Sequence, residues 1–101
     1  MFRHVALFRW VPGTTPEQVA AVDRALGELP GRIAGLREYR TGPDAGLAPG
    51  AWDYAVVADF DDADGWRAYT VHPDHTRVID TLIRPLVAER AAIQYDGGAA
   101  S

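Results

Sequence analysis

Cysteine is absent from this chain, and so is lysine. The first absence removes disulfide scaffolding, thiolate catalysis and cysteine-ligated zinc or iron–sulfur sites together, and it fits a reducing compartment. The second leaves ten cations that are all arginine, scattered against fourteen acids for a net charge of −4. No basic stripe exists to neutralise a nucleic-acid backbone or to hold an anionic membrane surface, so neither is an expected partner. The preference for Arg with abundant Ala and Gly reflects codon usage of a GC-rich bacterial genome and carries no functional information. Also missing are an apolar run of membrane-spanning length and a charged-then-apolar leader, since Met1-Phe2-Arg3-His4 runs straight into a strand pattern. The expected location is the cytoplasm. Glycine-rich phosphate loops, serine elbows and dinucleotide fingerprints do not occur.

The 101 residues, 48% of them hydrophobic, suffice for one domain with one core. A first strand is read from Phe2, His4, Ala6, Phe8 and Trp10 alternating with Arg3, Val5, Leu7 and Arg9. Thr15, Pro16 and Gln18 form a capping box that opens a helix to about Leu29, with Val19, Val22, Leu26 and Leu29 as its buried stripe. A short strand from Leu36 to Thr41 leads into a loop rich in Gly and Pro between Gly42 and Gly50, a lid or a dimer contact. Trp52 to Phe60 reads as the third strand, with Trp52, Tyr54, Val56, Ala58 and Phe60 sharing a face. Asp61 or Asp62 caps a second helix carrying Trp66 and Tyr69, which Pro73 interrupts near His72 before a further helical stretch from about Asp74 to Ile83. The last strand runs from Val87 to Tyr95, and residues 97–101 read as a disordered tail.

The order β-α-β-β-α-β is that of an α+β ferredoxin-like sandwich, an antiparallel sheet with its helices on one face. The first and third strands are apolar on both faces, Val5, Leu7, Ala55 and Val57 opposing the aromatic rows. Two helices cannot cover both. An exposed apolar sheet face is most simply buried by a second copy about a two-fold axis, so a homodimer is expected.

Three histidines occur, at His4, His72 and His75. The stretch Tyr69-x-x-His72-Pro73-x-His75, with Arg3-His4-Val5-Ala6-Leu7-Phe8, the Trp52–Phe60 strand and Ile93-Gln94-Tyr95, resembles the Dabb (stress-responsive A/B barrel) family over residues 1–96. The resemblance implies a dimeric α+β barrel whose two sheets face each other, with a pocket between sheet and helices in each subunit and no cofactor. It also implies roles: Tyr69 and His75 match a tyrosine and a histidine with which a plant polyketide cyclase of the family closes a linear poly-β-ketone by aldol-type condensation. His4 would be their orienting or second acid–base partner. Tyr54 departs from the cyclase, which has histidine there, and helix one is aliphatic where the cyclase pocket is aromatic.

These residue types suit that chemistry. A carbon flanked by two carbonyls is acidic enough for a neutral imidazole to deprotonate, and a phenol can donate to the developing enolate oxygen. His75 is then base and Tyr69 donor. Each has a plainer reading: Tyr69 as a half-buried aromatic, His4 as a hydrogen-bonded core histidine, His72 as a structural cap before Pro73. Phe8, Trp52, Tyr54, Val56, Trp66 and His72 are the expected lining of a cleft for a small-molecule substrate. Asp59, Asp61, Asp62 and Asp64 lack the spacing of a calcium loop and read as a solvated cap. His72-x-x-His75 across a proline lacks helical registry and a carboxylate partner, so no metal is expected. Three activities stay open: a cofactor-independent cyclase or lyase on a polyketide-like substrate in bacterial secondary metabolism, a non-catalytic stress-responsive dimer binding an apolar ligand, and a cofactor-free monooxygenase.

Overall fold

Nine alternating residues make β1 (Phe2–Trp10) the centre of a four-stranded sheet, with His4, Ala6 and Phe8 buried on one side. In the computed structural model, which describes residues 1–97, the elements that follow are α1 (Pro16–Gly27), β2 (Leu36–Pro43), β3 (Tyr54–Phe60), α2 (Ala63–Val71), α3 (Pro73–Val78) and β4 (Val87–Asp96). Strand order is β2-β3-β1-β4, antiparallel throughout, the ferredoxin-like arrangement that the element order predicts. Register places Tyr39, Ala58, His4 and Gln94 in one row across all four strands, and Pro43, Tyr54, Phe8 and Arg90 in another.

Local chemistry sets the helix ends. The Gln18 N–H donates to Thr15 Oγ1 at 3.2 Å while the Thr15 N–H donates to Gln18 Oε1 at 2.8 Å, the expected capping box. Val22 and Leu26 are buried from this helix, which ends at Gly27 rather than Leu29. Pro30 has no N–H to extend the ladder, so the chain tightens into a 3₁₀ turn over Leu29–Gly31. Asp62 caps α2 by accepting from the Gly65 N–H at 3.0 Å. A Cβ on Gly65 would lie 3.2 Å from Phe60 Cβ, so glycine lets this first turn close onto β3.

At His72 the chain turns extended, with φ −65° and ψ 132°, as the residue before a proline must. Its Nδ1 accepts from the Asp74 N–H at 3.1 Å and caps α3. The helical stretch to Ile83 is not uniform: α3 gives way to a π-helical turn over Ile79–Ile83, closed by the Arg84 N–H donating to the Ile79 carbonyl at 2.7 Å.

All helices lie on one side of the sheet. On the other side Val5, Leu7, Ala55 and Val57 are half-buried, and Ile93 and Tyr95 keep 58% and 42% of their surface exposed. Arg3 forks onto Asp59 on this side, with Nε to Oδ1 at 2.7 Å and an η nitrogen to Oδ2 at 2.8 Å.

Two expectations need correction here. Trp52 is outside β3, which begins at Tyr54. The Asp53 N–H donates to the Phe8 carbonyl and its carboxylate accepts from the Trp10 N–H, and these bonds turn the chain before Trp52. The indole therefore sits under the Arg9 guanidinium, 4.3 Å from ring centre to Cζ, and beside Leu7 and Ala55 on the helix-free side. In the expected tail, the Gly97 N–H donates to the Met1 carbonyl at 2.9 Å, which ties Gly97 to the sheet, while residues 98–101 lie outside the described residues.

Candidate functional site

Tyr69, on the last turn of α2, lies over the row of Tyr39, Ala58, His4 and Gln94. Its hydroxyl is 2.9 Å from that of Tyr39, and its ring is 6.2 Å from His4 and 5.3 Å from Phe60, centre to centre. The break at Pro73 then folds α3 back so that His75 packs against Tyr69, with ring centres 4.0 Å apart and the planes tilted by 38°. His4 is fixed from β4, where the Gln94 amide nitrogen lies 2.8 Å from its Nδ1. The three residues singled out in the sequence thus form one cluster, with His4 and Tyr69 buried and His75 half-buried.

A cavity of about 400 Å³ opens beside it, between α3 with its π turn and the β1–β4 edge. Phe8, Ile79, Ile83 and Val87 supply an apolar wall, and Thr70, His75, Arg84 and Arg90 supply the polar groups. This size and lining suit a small organic molecule. Only His75 of the acid–base cluster reaches the wall. Tyr69 stands behind it, 2% exposed, with its hydroxyl on Tyr39.

Burial lowers the pKa of His75 from its ordinary 6.5, with the Thr70 backbone opposing and the charges of Arg90 and His72 adding to the effect. The ring is therefore neutral at physiological pH, and its Nδ1 is buried with no hydrogen-bond partner. Burial, then Arg90, then His75 push His4 down to about 4. Tyr69 is pushed up to about 12, chiefly by burial, so it stays protonated. An imidazole poised to accept a proton beside a phenol poised to keep one is an acid–base pair.

The remaining expected lining residues are dispersed. Phe8 reaches the cavity, but Val56 is sealed in the core at 3% exposure. Tyr54 donates its hydroxyl to Asp23 of α1 at 2.5 Å, away from His75. Trp66 packs over Phe2 and His4 with its indole N–H buried and unpaired, and His72 serves as the α3 cap. The reason is the strand order: the cavity opens over β4, whereas β3 lies on the other side of β1. Sequence reasoning missed Thr70, Ile79, Ile83, Val87 and above all Arg90. A signal existed, since Arg90, Ala92 and Gln94 alternate with the apolar Ala91, Ile93 and Tyr95, which marks the polar face of β4 as the one beside His4. Among the described residues, no three His, Asp or Glu side chains are grouped as a metal ion would need, and no helix is long and apolar enough to cross a membrane.

The model of the stress responsive A/B barrel domain, Dabb, matches residues 2–96. The chain belongs to this family. A dimeric ferredoxin-like protein of unknown function from Thermobifida fusca shares 50% identity with this Dabb chain, covering 93% of it and 88% of its own length at a TM-score of 0.87. An uncharacterized protein of Streptomyces coelicolor is 36% identical over 80 residues, which span 74% of this chain and 79% of that protein. The hydroxynitrile lyase of Passiflora edulis has a similar fold, with a TM-score of 0.79 over 93% of this chain and 90% of that one, at 15% identity.

Proposed function

We propose that this Dabb protein is a cofactor-independent enzyme of cyclase or lyase type, acting by proton transfer on a small polyketide-like substrate in bacterial secondary metabolism. The observation that carries the reading is a neutral His75 in the wall of a cavity whose other lining is Phe8, Ile79, Ile83 and Val87 with Thr70, Arg84 and Arg90. The neutral imidazole carries its proton on one ring nitrogen and holds on the other the lone pair that a general base requires. It takes a proton from the carbon between two carbonyls, and the C–H electron pair passes into the enolate. Tyr69 keeps its proton and, standing behind the wall with its hydroxyl on Tyr39, acts as a positioning residue whose ring packs on His75, instead of as the donor expected of it. His4 packs beside the tyrosine ring, 6.2 Å away centre to centre. A homodimer through the helix-free face completes the reading, supported by Val5, Leu7, Val57 and Ile93 on that face and by the dimeric Thermobifida fusca relative.

The test is conversion of a linear poly-β-ketone to its cyclised product by purified protein without added cofactor. Wild-type protein accelerates it, and His75→Ala does not. A folded His75→Ala protein with full activity overturns the assignment.

A further inference from the structure

Eight of the ten arginines have a carboxylate within ion-pair distance: Arg3, Arg9, Arg32, Arg37, Arg40, Arg67, Arg77 and Arg84. The two others are Arg24 and Arg90. Arg24 sits in the last turn of α1, where the helix dipole favours a cation. Arg90 is exposed to solvent and stands at no helix end. It lies on β4 in register with Phe8, on the helix-covered side of the sheet, and forms part of the cavity wall with His75. Among the described residues it makes no hydrogen bond and no ion pair. The cavity offers it none, because its lining contains no Asp or Glu, and its other cation, Arg84, is held by Asp80 at 3.0 Å.

A guanidinium left without an anion beside an apolar wall is an anion site, and its planar fork matches a carboxylate in two parallel hydrogen bonds. We propose that Arg90 binds the carboxylate of the substrate, so that the enzyme takes a free β-keto carboxylic acid and not its ester or thioester. This deepens the proton-transfer reading and rests on it for the position of the reacting carbon. With the carboxylate on Arg90 and the apolar wall against the chain, the keto end is held beside His75. A reaction that releases the acid, hydrolysis of an acyl thioester, must then come before this one. Arg90 also keeps the cavity positive next to His4 and His75, in agreement with the low proton affinity of both imidazoles.

Titration of the dimer with acetoacetate and with ethyl acetoacetate, followed by NMR shift changes, tests the proposal by binding alone. Wild-type protein should bind the acid about tenfold or more tightly than the ester, as a charged hydrogen-bond pair requires. Arg90→Gln should erase that preference, whereas Arg24→Gln and His75→Ala should keep it. Equal binding of acid and ester by wild type, or a preference that survives Arg90→Gln, overturns the carboxylate site. Because His75→Ala is expected to retain the preference, loss of the proton-transfer reading leaves a distinct signature: intact selectivity for the acid with no turnover.

Discussion

Tyr69 and His75 belong to different helices, yet their ring centres lie 4.0 Å apart. A continuous helix would have carried them to unrelated faces. The extended His72 before Pro73 is what returns His75 to the tyrosine. The contact joins a group that stays protonated to one that stays neutral.

Tyr69→Phe separates the Tyr69 hydroxyl from the packing of its ring. The ring contacts with His4, Phe60 and His75 survive, but the Tyr39 hydroxyl loses its 2.9 Å partner in a buried setting. The expected cost is about 1–3 kcal/mol of stability, read from urea unfolding, with kcat little changed because the ring still packs on His75. A kcat that falls steeply with the fold intact would assign the hydroxyl itself to the reaction.

The pH profile of kcat/KM has a defined sign. A base must be neutral to act, and His75 is held below its ordinary 6.5, so the acid limb should have its midpoint below pH 6.5. No alkaline limb should appear before the region of Tyr69, which loses its proton only near about 12. Steady-state rates between mildly acidic and mildly alkaline buffers check both limbs.

His4 governs stability in the same direction. Its folded pKa of about 4 is below the ordinary 6.5, so the fold favours the neutral ring. That contribution is complete above pH 6.5 and is lost as pH falls through 6.5 toward about 4, an effect of roughly 3 kcal/mol at most. Chemical denaturation across this range should show the decline, and His4→Gln should flatten it.

Much of the fold is readable along the chain because its determinants are local. The β1 alternation, the Thr15–Gln18 capping box and the His72–Pro73 break each involve neighbours in sequence and stand in the structure as their residue types dictate. The cavity is not local. Its position depends on β4 pairing with β1 on the side away from β3, a contact between residues about a whole chain apart. Trp52, Tyr54 and Val56 therefore look like its lining when strand faces are read singly, and Arg90 looks like an interruption of an apolar row. Trp52 leaves its strand through Asp53, whose bonds to β1 have no signature in the alternation.

The helix-free face carries a prediction about assembly. Leu7 and Val57 lie on it with Ile93, and an arginine at either position would place an unpaired charge in the two-fold contact. Leu7→Arg or Val57→Arg should convert the dimer to a monomer in light scattering. Dimers that persist in both variants would move the interface elsewhere.

Proton abstraction at His75 is the central claim, and deuterium exchange measures it without knowledge of the natural substrate. 3,5-Dioxohexanoate, a free acid with a carbon between two ketones, should exchange the C–H of that carbon in deuterated buffer at neutral pH faster with wild-type protein than in buffer alone. His75→Ala should lower the protein-dependent rate by about 10²-fold or more. Equal rates for wild type and a folded His75→Ala protein would contradict the account.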